Sequence, residues 1–126
     1  MKISRRTALK ATSVVPIIGR VDAQQQAAMY GLIGKIKANP GKRDELAAIL
    51  LQSTPGLTGC LSYVVAKDTT DPDALWITEV WATEADHQAS LTSPSVKEAI
   101  AKGRPLIAAF DVQYKTQPIG GVGLHR

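Results

Sequence analysis

The sequence predicts an α+β domain in which strands and helices follow the order β-α-β-β-α-β. Four segments have the pattern of strands, and apolar residues at helical spacing follow the first and the third of them. Turn residues such as Pro and Gly separate the segments. This order is that of the ferredoxin-like split β-α-β motif, an antiparallel sheet with helices on one face. It is the fold class expected for this chain.

The first half of the domain is predicted to contain a strand, a helix and a second strand. The first strand runs from Met29 to Ala38, and one of its faces holds Tyr30, Leu32, Gly34 and Ile36. Asn39 is expected to cap the helix, and Pro40 suits its first position. A mostly apolar stripe on this helix holds Leu46, Ile49, Leu50 and Ser53. The second strand runs from Leu57 to Lys67.

The second half is predicted to contain two more strands with two helices between them. A polar hairpin loop at 68–73 leads into the third strand, Leu75 to Ala82. Thr83 is expected to cap a short helix, and Ser93-Pro94 to start another. The last strand runs from Leu106 to Thr116.

Both faces of the third strand are apolar, which predicts that both faces of the sheet are buried. Leu75 and Ile77 point to one face, and Trp76 and Val80 point to the other. Helices cover only one face of such a sheet, so the other face needs a cover. A second copy of the sheet is the simplest cover, and association also helps a domain this small to bury surface. We therefore expect a homodimer.

Residues 1–23 have the features of an export signal. Ser4-Arg5-Arg6-Thr7-Ala8-Leu9-Lys10 is similar to a twin-arginine signal, except that Ala8 stands where that pattern usually has Phe. A mildly apolar run follows at 11–19, and Val21-Asp22-Ala23 suits a signal peptidase. The run is about half the length of a membrane span and contains Pro16, so no stable membrane anchor is expected. A basic extension of a cytoplasmic protein is the alternative.

Export by the twin-arginine route predicts a mature protein that starts near Gln24, in the periplasm or outside the cell. Mass spectrometry of the native protein should find this N-terminus. Changing both Arg5 and Arg6 to Lys should abolish export and leave the fold intact, because the pair is part of the signal alone. An intact N-terminus found in the cytosol would contradict export.

The positive charge of the chain belongs to this N-terminal segment. The whole chain has 15 basic and 11 acidic residues and a net charge of +4. Residues 1–23 hold five of the basic residues and one acidic residue, which leaves ten of each in the rest of the chain. Aromatic residues are also sparse, and no nucleic-acid motif is present. Neither nucleic acid nor an anionic membrane is therefore an expected partner.

The remaining features define the domain boundaries and the expected cofactors. A segment at 24–28 precedes one domain at 29–117, and a Gly-rich tail follows at 118–126. Cys60 is the one cysteine, so no intramolecular disulfide can form. The histidines are His87 and His125, and no second Cys or closely spaced His supports a metal site. No metal site is expected.

The stretch from Glu79 to Phe110 carries a family resemblance. It contains Glu79-Val80-Trp81, a Thr-Glu-Ala-Asp-His helix start at 83–87, the Ser93-Pro94 helix start, a Gly-Arg-Pro break at 103–105 and a final apolar strand. This resembles the second half of the antibiotic biosynthesis monooxygenase family, and the resemblance covers roughly residues 29–117. It implies a dimeric α+β barrel and a substrate cleft between the helices and the sheet. It also implies oxidation of polycyclic phenols or quinols by O₂ without a bound cofactor.

Given that cleft, the third strand supplies its first candidate residues. Ile77, Glu79 and Trp81 share a face, and Trp81 is suited to stack on a flat ring and to hold a carbonyl through its N–H. Glu79 has buried neighbours, so it is expected to be paired or protonated, and either state could serve as a base. Alternatively, Trp81 is only a core residue, and Glu79 bonds to backbone or to an Arg across the dimer.

Four further side chains are candidates for the same cleft. Family members with oxygenase activity place a Tyr near the position of His87. His87 could take the place of that Tyr as a hydrogen-bond donor, an acceptor or a base. Alternatively, His87 is a surface residue of the helix. Arg104 could stabilise a developing anion, pair with Glu79 or be a plain surface charge. Tyr63 and Tyr114 lie on strands, and either could line the cleft.

Two main functions fit these features. One is a cofactor-independent monooxygenase of a quinol or polycyclic phenol, with His87, Glu79 and Arg104 catalytic and with Trp81, Tyr63 and Ile77 contacting the substrate. The other is a non-catalytic exported dimer that binds a small ligand or a partner. Haem-degrading relatives of this fold are disfavoured. They carry a Trp and an iron-binding His where this chain has Ser90 and Ile100.

Overall fold

The computed structural model describes residues 28–124 and contains the predicted elements in the predicted order. The strands are β1 (Tyr30–Ala38), β2 (Cys60–Lys67), β3 (Ala74–Trp81) and β4 (Ile107–Thr116). The helices are α1 (Arg43–Ser53), α2 (Glu84–Ser90) and α3 (Pro94–Gly103), and a 3₁₀ turn (Arg104–Leu106) follows α3. The ferredoxin-like α+β fold is thus confirmed. The export signal predicted at 1–23 lies outside the described residues.

The four strands form one antiparallel sheet in the order β2-β3-β1-β4. Tyr30 lies opposite Trp81, and Leu32 lies opposite Glu79, so these residues share the face that the helices cover. The main core lies between that face and the helices and is formed by Ala38, Leu46, Leu75 and Ile77. Where this core is incomplete, the helices and the sheet enclose a cavity.

The predicted starts of α2 and α3 are confirmed, and that of α1 is wrong. The side chains of Thr83 and Ser93 accept hydrogen bonds from backbone N–H groups three residues on. At α1 the helix begins at Arg43, because Gly41 has a φ of 79° and breaks helical geometry after Pro40. Asn39 does not cap this helix. Its Nδ2 donates instead to the carbonyl of Pro105, at 2.9 Å.

The second strand starts three residues later than predicted, at Cys60. Gly59, with a φ of 80°, occupies the left-handed region and turns the chain into the strand. Its carbonyl accepts from the backbone N–H of Ala82 at 2.8 Å, and the Asp86 side chain packs closely over it. This contact ties the start of β2 to α2, the helix that carries His87.

The opposite face of the sheet has no covering element in the part of the chain that the structure describes. Val64 is 52% exposed and Tyr114 is 62% exposed on that face. The tail beyond β4 adds two more exposed apolar residues, Ile119 and Val122. None of the helices between residues 28 and 124 combines the length and apolar character needed to cross a membrane.

Candidate active site

A cavity of about 710 Å³ lies between the helices and the sheet, and apolar side chains form most of its wall. It is open to solvent, and its volume falls in the range of small-molecule sites. The predicted candidates that line it are Tyr63, Glu79, Trp81, His87 and Arg104. The structure therefore brings together five of the residues that the sequence singled out.

Trp81 lies in the wall of the cavity and is 1% exposed. Its Nε1–H donates to the Oε1 atom of Glu79, at 2.9 Å. The ring packs with Tyr30 and Leu32, which lie on the same face of β1. In this structure the N–H is therefore engaged by Glu79 and is not free to hold the substrate carbonyl that was expected from the sequence. Burial also leaves little of the ring free for stacking on a ligand.

Glu79 lines the cavity and contacts both Trp81 and His87. Burial raises the pKa of its carboxyl, while the hydrogen bond from Trp81 and the charge of His87 act in the opposite direction. Its Oε1 atom lies 4.0 Å from Nε2 of His87. The alternative in which Arg104 pairs with Glu79 is not observed among the described residues.

His87 is the third member of this group and is largely buried, with 14% of its side chain exposed. Its ring lies 5.3 Å from that of Tyr30 and 5.4 Å from that of Trp81. The alternative of a surface residue is therefore wrong. The Nδ1 atom is buried and has no hydrogen-bond partner in the described part of the chain. With a proton on Nε2 facing Glu79, Nδ1 is a free acceptor.

The other predicted residues differ in how closely they approach this group. Tyr63 is near enough to Glu79 that burial and then the Glu79 charge raise the pKa of its hydroxyl. Arg104 is exposed, in the turn that leaves α3. Ile77 does not line the cavity; it packs in the core and borders a smaller hollow of about 120 Å³. Tyr114 points to the uncovered face, opposite Ile33.

Comparison with known proteins identifies the family. A model of the family described as antibiotic biosynthesis monooxygenase matches residues 29–102. The chain belongs to this family. No curated protein matches the chain.

Solved structures agree with this family assignment. A candidate antibiotic biosynthesis monooxygenase from Chloroflexus aurantiacus is 60% identical, with a TM-score of 0.76, over 77% of this chain and 99% of that one. A candidate antibiotic biosynthesis monooxygenase from Caulobacter crescentus is 20% identical, with a TM-score of 0.68, over 75% and 92%. One from Bordetella bronchiseptica is 19% identical, with a TM-score of 0.62, over 73% and 98%. The last two show the fold alone.

The cavity of this family member also includes residues that the sequence analysis did not propose as ligand contacts. Phe110 lines it and is 68% exposed. Irregularities in the pairing of β1 with β4 place Ile107 opposite Ala38 and Phe110 opposite Ile36. These two residues, three apart in β4, consequently share a face. Simple alternation along a strand cannot predict this, because an extra residue reverses the faces.

Proposed function

We propose that the protein is a monooxygenase that oxidises a quinol or another hydroxyarene with O₂ in this cavity. The observation that carries the proposal is the group formed by Glu79, Trp81 and His87 at the wall of an otherwise apolar cavity. It offers a proton acceptor beside a space that suits a flat apolar ring. Membership of a monooxygenase family supports the same conclusion.

The chemistry asks for few protein groups. Loss of the hydroxyl proton makes the ring electron-rich enough to reduce O₂ itself, so the reaction needs no bound cofactor. For 1-naphthol, one O₂ gives 1,4-naphthoquinone and one water. The ring loses four electrons, one oxygen atom enters it, and the O–H proton and the C4 proton leave in the water. An apolar cavity favours this step by limiting contact with water.

Glu79 is the residue that we assign to the first proton transfer. A carboxylate with a raised pKa is a stronger base than an ordinary one, and Glu79 has 18% of its side chain exposed towards the cavity. Trp81 acts through Glu79 as a positioning residue, because its N–H holds Oε1 in place. His87, with Nε2 4.0 Å from Oε1 of Glu79, acts against the effect of burial on that carboxyl, and Arg104 supplies positive charge at the exposed edge of the cavity.

Replacing Glu79 by Gln should remove the acid limb of the pH profile. In the wild type, kcat/KM should rise with pH through a pKa above the ordinary range of Glu, because burial raises it. Gln keeps a carbonyl that can accept from Trp81 but cannot take the proton. The rate should fall at least tenfold, measured by O₂ uptake with 1-naphthol between pH 4 and 9. Glu84→Gln, an exposed change on α2, is the matched control.

The free energy of unfolding should depend on pH differently in the wild type and in Glu79→Gln. Between the ordinary and the raised pKa, the folded state keeps a proton on Glu79 that the unfolded state has lost. The free energy of unfolding therefore decreases as pH rises through this window. Glu79→Gln should remove that decrease in urea titrations. A variant that retains both the wild-type rate and the wild-type pH dependence would contradict the role of Glu79.

A non-catalytic ligand-binding protein is the second candidate, and one observation favours it. Trp81 and Glu79 satisfy each other, as two groups of a purely structural pair would. Oxygen consumption distinguishes the two functions. A protein that binds quinols or naphthols but consumes no O₂ with any of them is a binding protein.

We also propose that a second copy covers the free face of the sheet. Near one end of the strands this face is mostly apolar, formed by Ile33, Val64, Val80 and Tyr114 around Thr78. Near the other end it is polar, where Trp76 donates to Asp68 at 2.8 Å and Lys35 lies 5.7 Å from the Trp76 ring. Burying about 100 Å² of apolar surface contributes about 2.5 kcal/mol, which favours pairing through the apolar end. Export to the periplasm or cell exterior completes the proposal.

A further inference from the structure

The cavity is longer than the polar group at which the proposed reaction occurs. Glu79 lies opposite Leu32 of β1, and Phe110 lies opposite Ile36, four residues further along the same strand. At about 3.3 Å per residue and about 4.8 Å between strands, the two backbone positions are roughly 16 Å apart. Both side chains line the same cavity. A one- or two-ring head held at Glu79 therefore fills only part of its length.

The far part of the cavity is mostly apolar and incompletely covered, and the exposed Arg104 lies at its edge, three residues before Ile107. Phe110 and Ile107 of β4 line it from the sheet, and Val96 and Ile100 of α3 line it from the helices. Phe110 is 68% exposed and Ile100 is 40% exposed. Leu91, also 40% exposed, extends the apolar lining at the end of α2. The second copy proposed above is placed on the opposite face of the sheet, where it does not cover these side chains.

We infer that the substrate is a hydroxyarene or quinol that carries an apolar alkyl or prenyl side chain. The ring lies beside Glu79 and His87, and the side chain runs along the cavity to Ile100 and Phe110. The polarity of such a ligand matches that of the cavity, because both have one polar end and one long, mostly apolar part. The chain would cover apolar surface that the described residues leave exposed, and each buried methylene favours binding. This inference rests on the proposed function, because it places the head at the proposed catalytic group.

Binding of a ligand series tests the inference separately from the activity. The probes are 1-naphthol and its 2-ethyl, 2-butyl and 2-hexyl derivatives, used without O₂ and below the concentrations at which they aggregate. Kd is measured by calorimetry on the purified wild-type protein, in the oligomeric state that it has in solution. We expect Kd to decrease with each added pair of methylenes, by at least tenfold from 1-naphthol to the hexyl derivative, at one ligand per chain.

Two variants test where the alkyl chain of the ligand lies, and a third variant serves as a control. Phe110→Ser and Ile100→Ser should each reduce the gain from the hexyl chain to less than threefold. Both positions are exposed enough to tolerate a polar residue, and two variants guard against one that misfolds. Leu51→Ser removes an apolar residue of α1 whose exposure, 52%, lies between those of Ile100 and Phe110 and which is outside the cavity lining, and it should retain the full gain.

The results separate this inference from the proposed function. If 1-naphthol binds and the alkyl chain adds no affinity, the inference fails and the proposed function stands. A gain that persists in both Phe110→Ser and Ile100→Ser places the chain elsewhere and also overturns the inference. If no member of the series binds, the proposed function fails and the inference fails with it.

Discussion

Trp81→Ala should reduce kcat/KM for 1-naphthol at least tenfold and destabilise the domain by about 3–5 kcal/mol. The loss of stability follows from removing a Trp that is 1% exposed, which leaves a cavity in the core. The loss of activity follows from freeing Glu79, whose Oε1 accepts from the Trp81 ring at 2.9 Å. A tenfold loss corresponds to about 1.4 kcal/mol of transition-state stabilisation. Oxygen uptake and urea unfolding measure the two effects.

Trp81→Phe separates the hydrogen bond from the bulk of the ring. Phe keeps most of the packing but donates nothing, so the pKa of Glu79 loses a lowering contribution and should rise further. The acid limb of the pH profile should consequently move to higher pH. Trp76→Phe is the matched control, because it removes an N–H bond to Asp68 outside the cavity. A folded Trp81→Ala protein with an activity within twofold of the wild type would refute the role given to Trp81.

Val80→Asp should convert the proposed dimer into a monomer or an aggregate. Val80 lies on the uncovered face of the sheet, at its apolar end, where an Asp would be buried without a partner charge. Burying an unpaired carboxylate costs several kcal/mol, so we expect the dimer dissociation constant to rise at least a hundredfold, or about 2.8 kcal/mol. Analytical ultracentrifugation over a concentration series measures this change.

The control for this change is Leu51→Asp, an exposed position on α1 on the other side of the sheet. It introduces the same charge and should leave the dissociation constant within twofold of the wild type. A wild-type protein that is monomeric at micromolar concentration would refute the face-to-face dimer. The uncovered face would then be an exposed apolar surface with some other role.

The order of the elements and the cavity-facing side of β3 could be predicted from the sequence. Local signals were sufficient there: alternation in β3 placed Glu79 and Trp81 on one face, and Thr83 and Ser93 marked helix starts. A local signal fails where a contact with a distant part of the chain uses the same residue. At Asn39 a favourable cap residue is used by a bond to Pro105, which is 66 residues away in the chain.

The details of the site depend on contacts that no local pattern encodes. The spacing of Glu79 and Trp81 places them on one face, but it does not show that they bond to each other. His87 is buried because α2 packs its ring against Tyr30 and Trp81, from different strands. Phe110 enters the cavity through irregular pairing of β4 with β1. Each of these features arises from tertiary packing, so sequence periodicity alone cannot predict it.

Isotope labelling tests the proposed oxygenation most directly. The purified protein, treated with a chelator and supplied with no flavin, is incubated with 1-naphthol under ¹⁸O₂, and the product is analysed by mass spectrometry. We expect 1,4-naphthoquinone with one ¹⁸O atom per molecule, one O₂ consumed per quinone, and at least tenfold slower formation by Glu79→Gln. Quinone without ¹⁸O, or formed equally fast by Glu79→Gln, would contradict a monooxygenase that acts through this cavity.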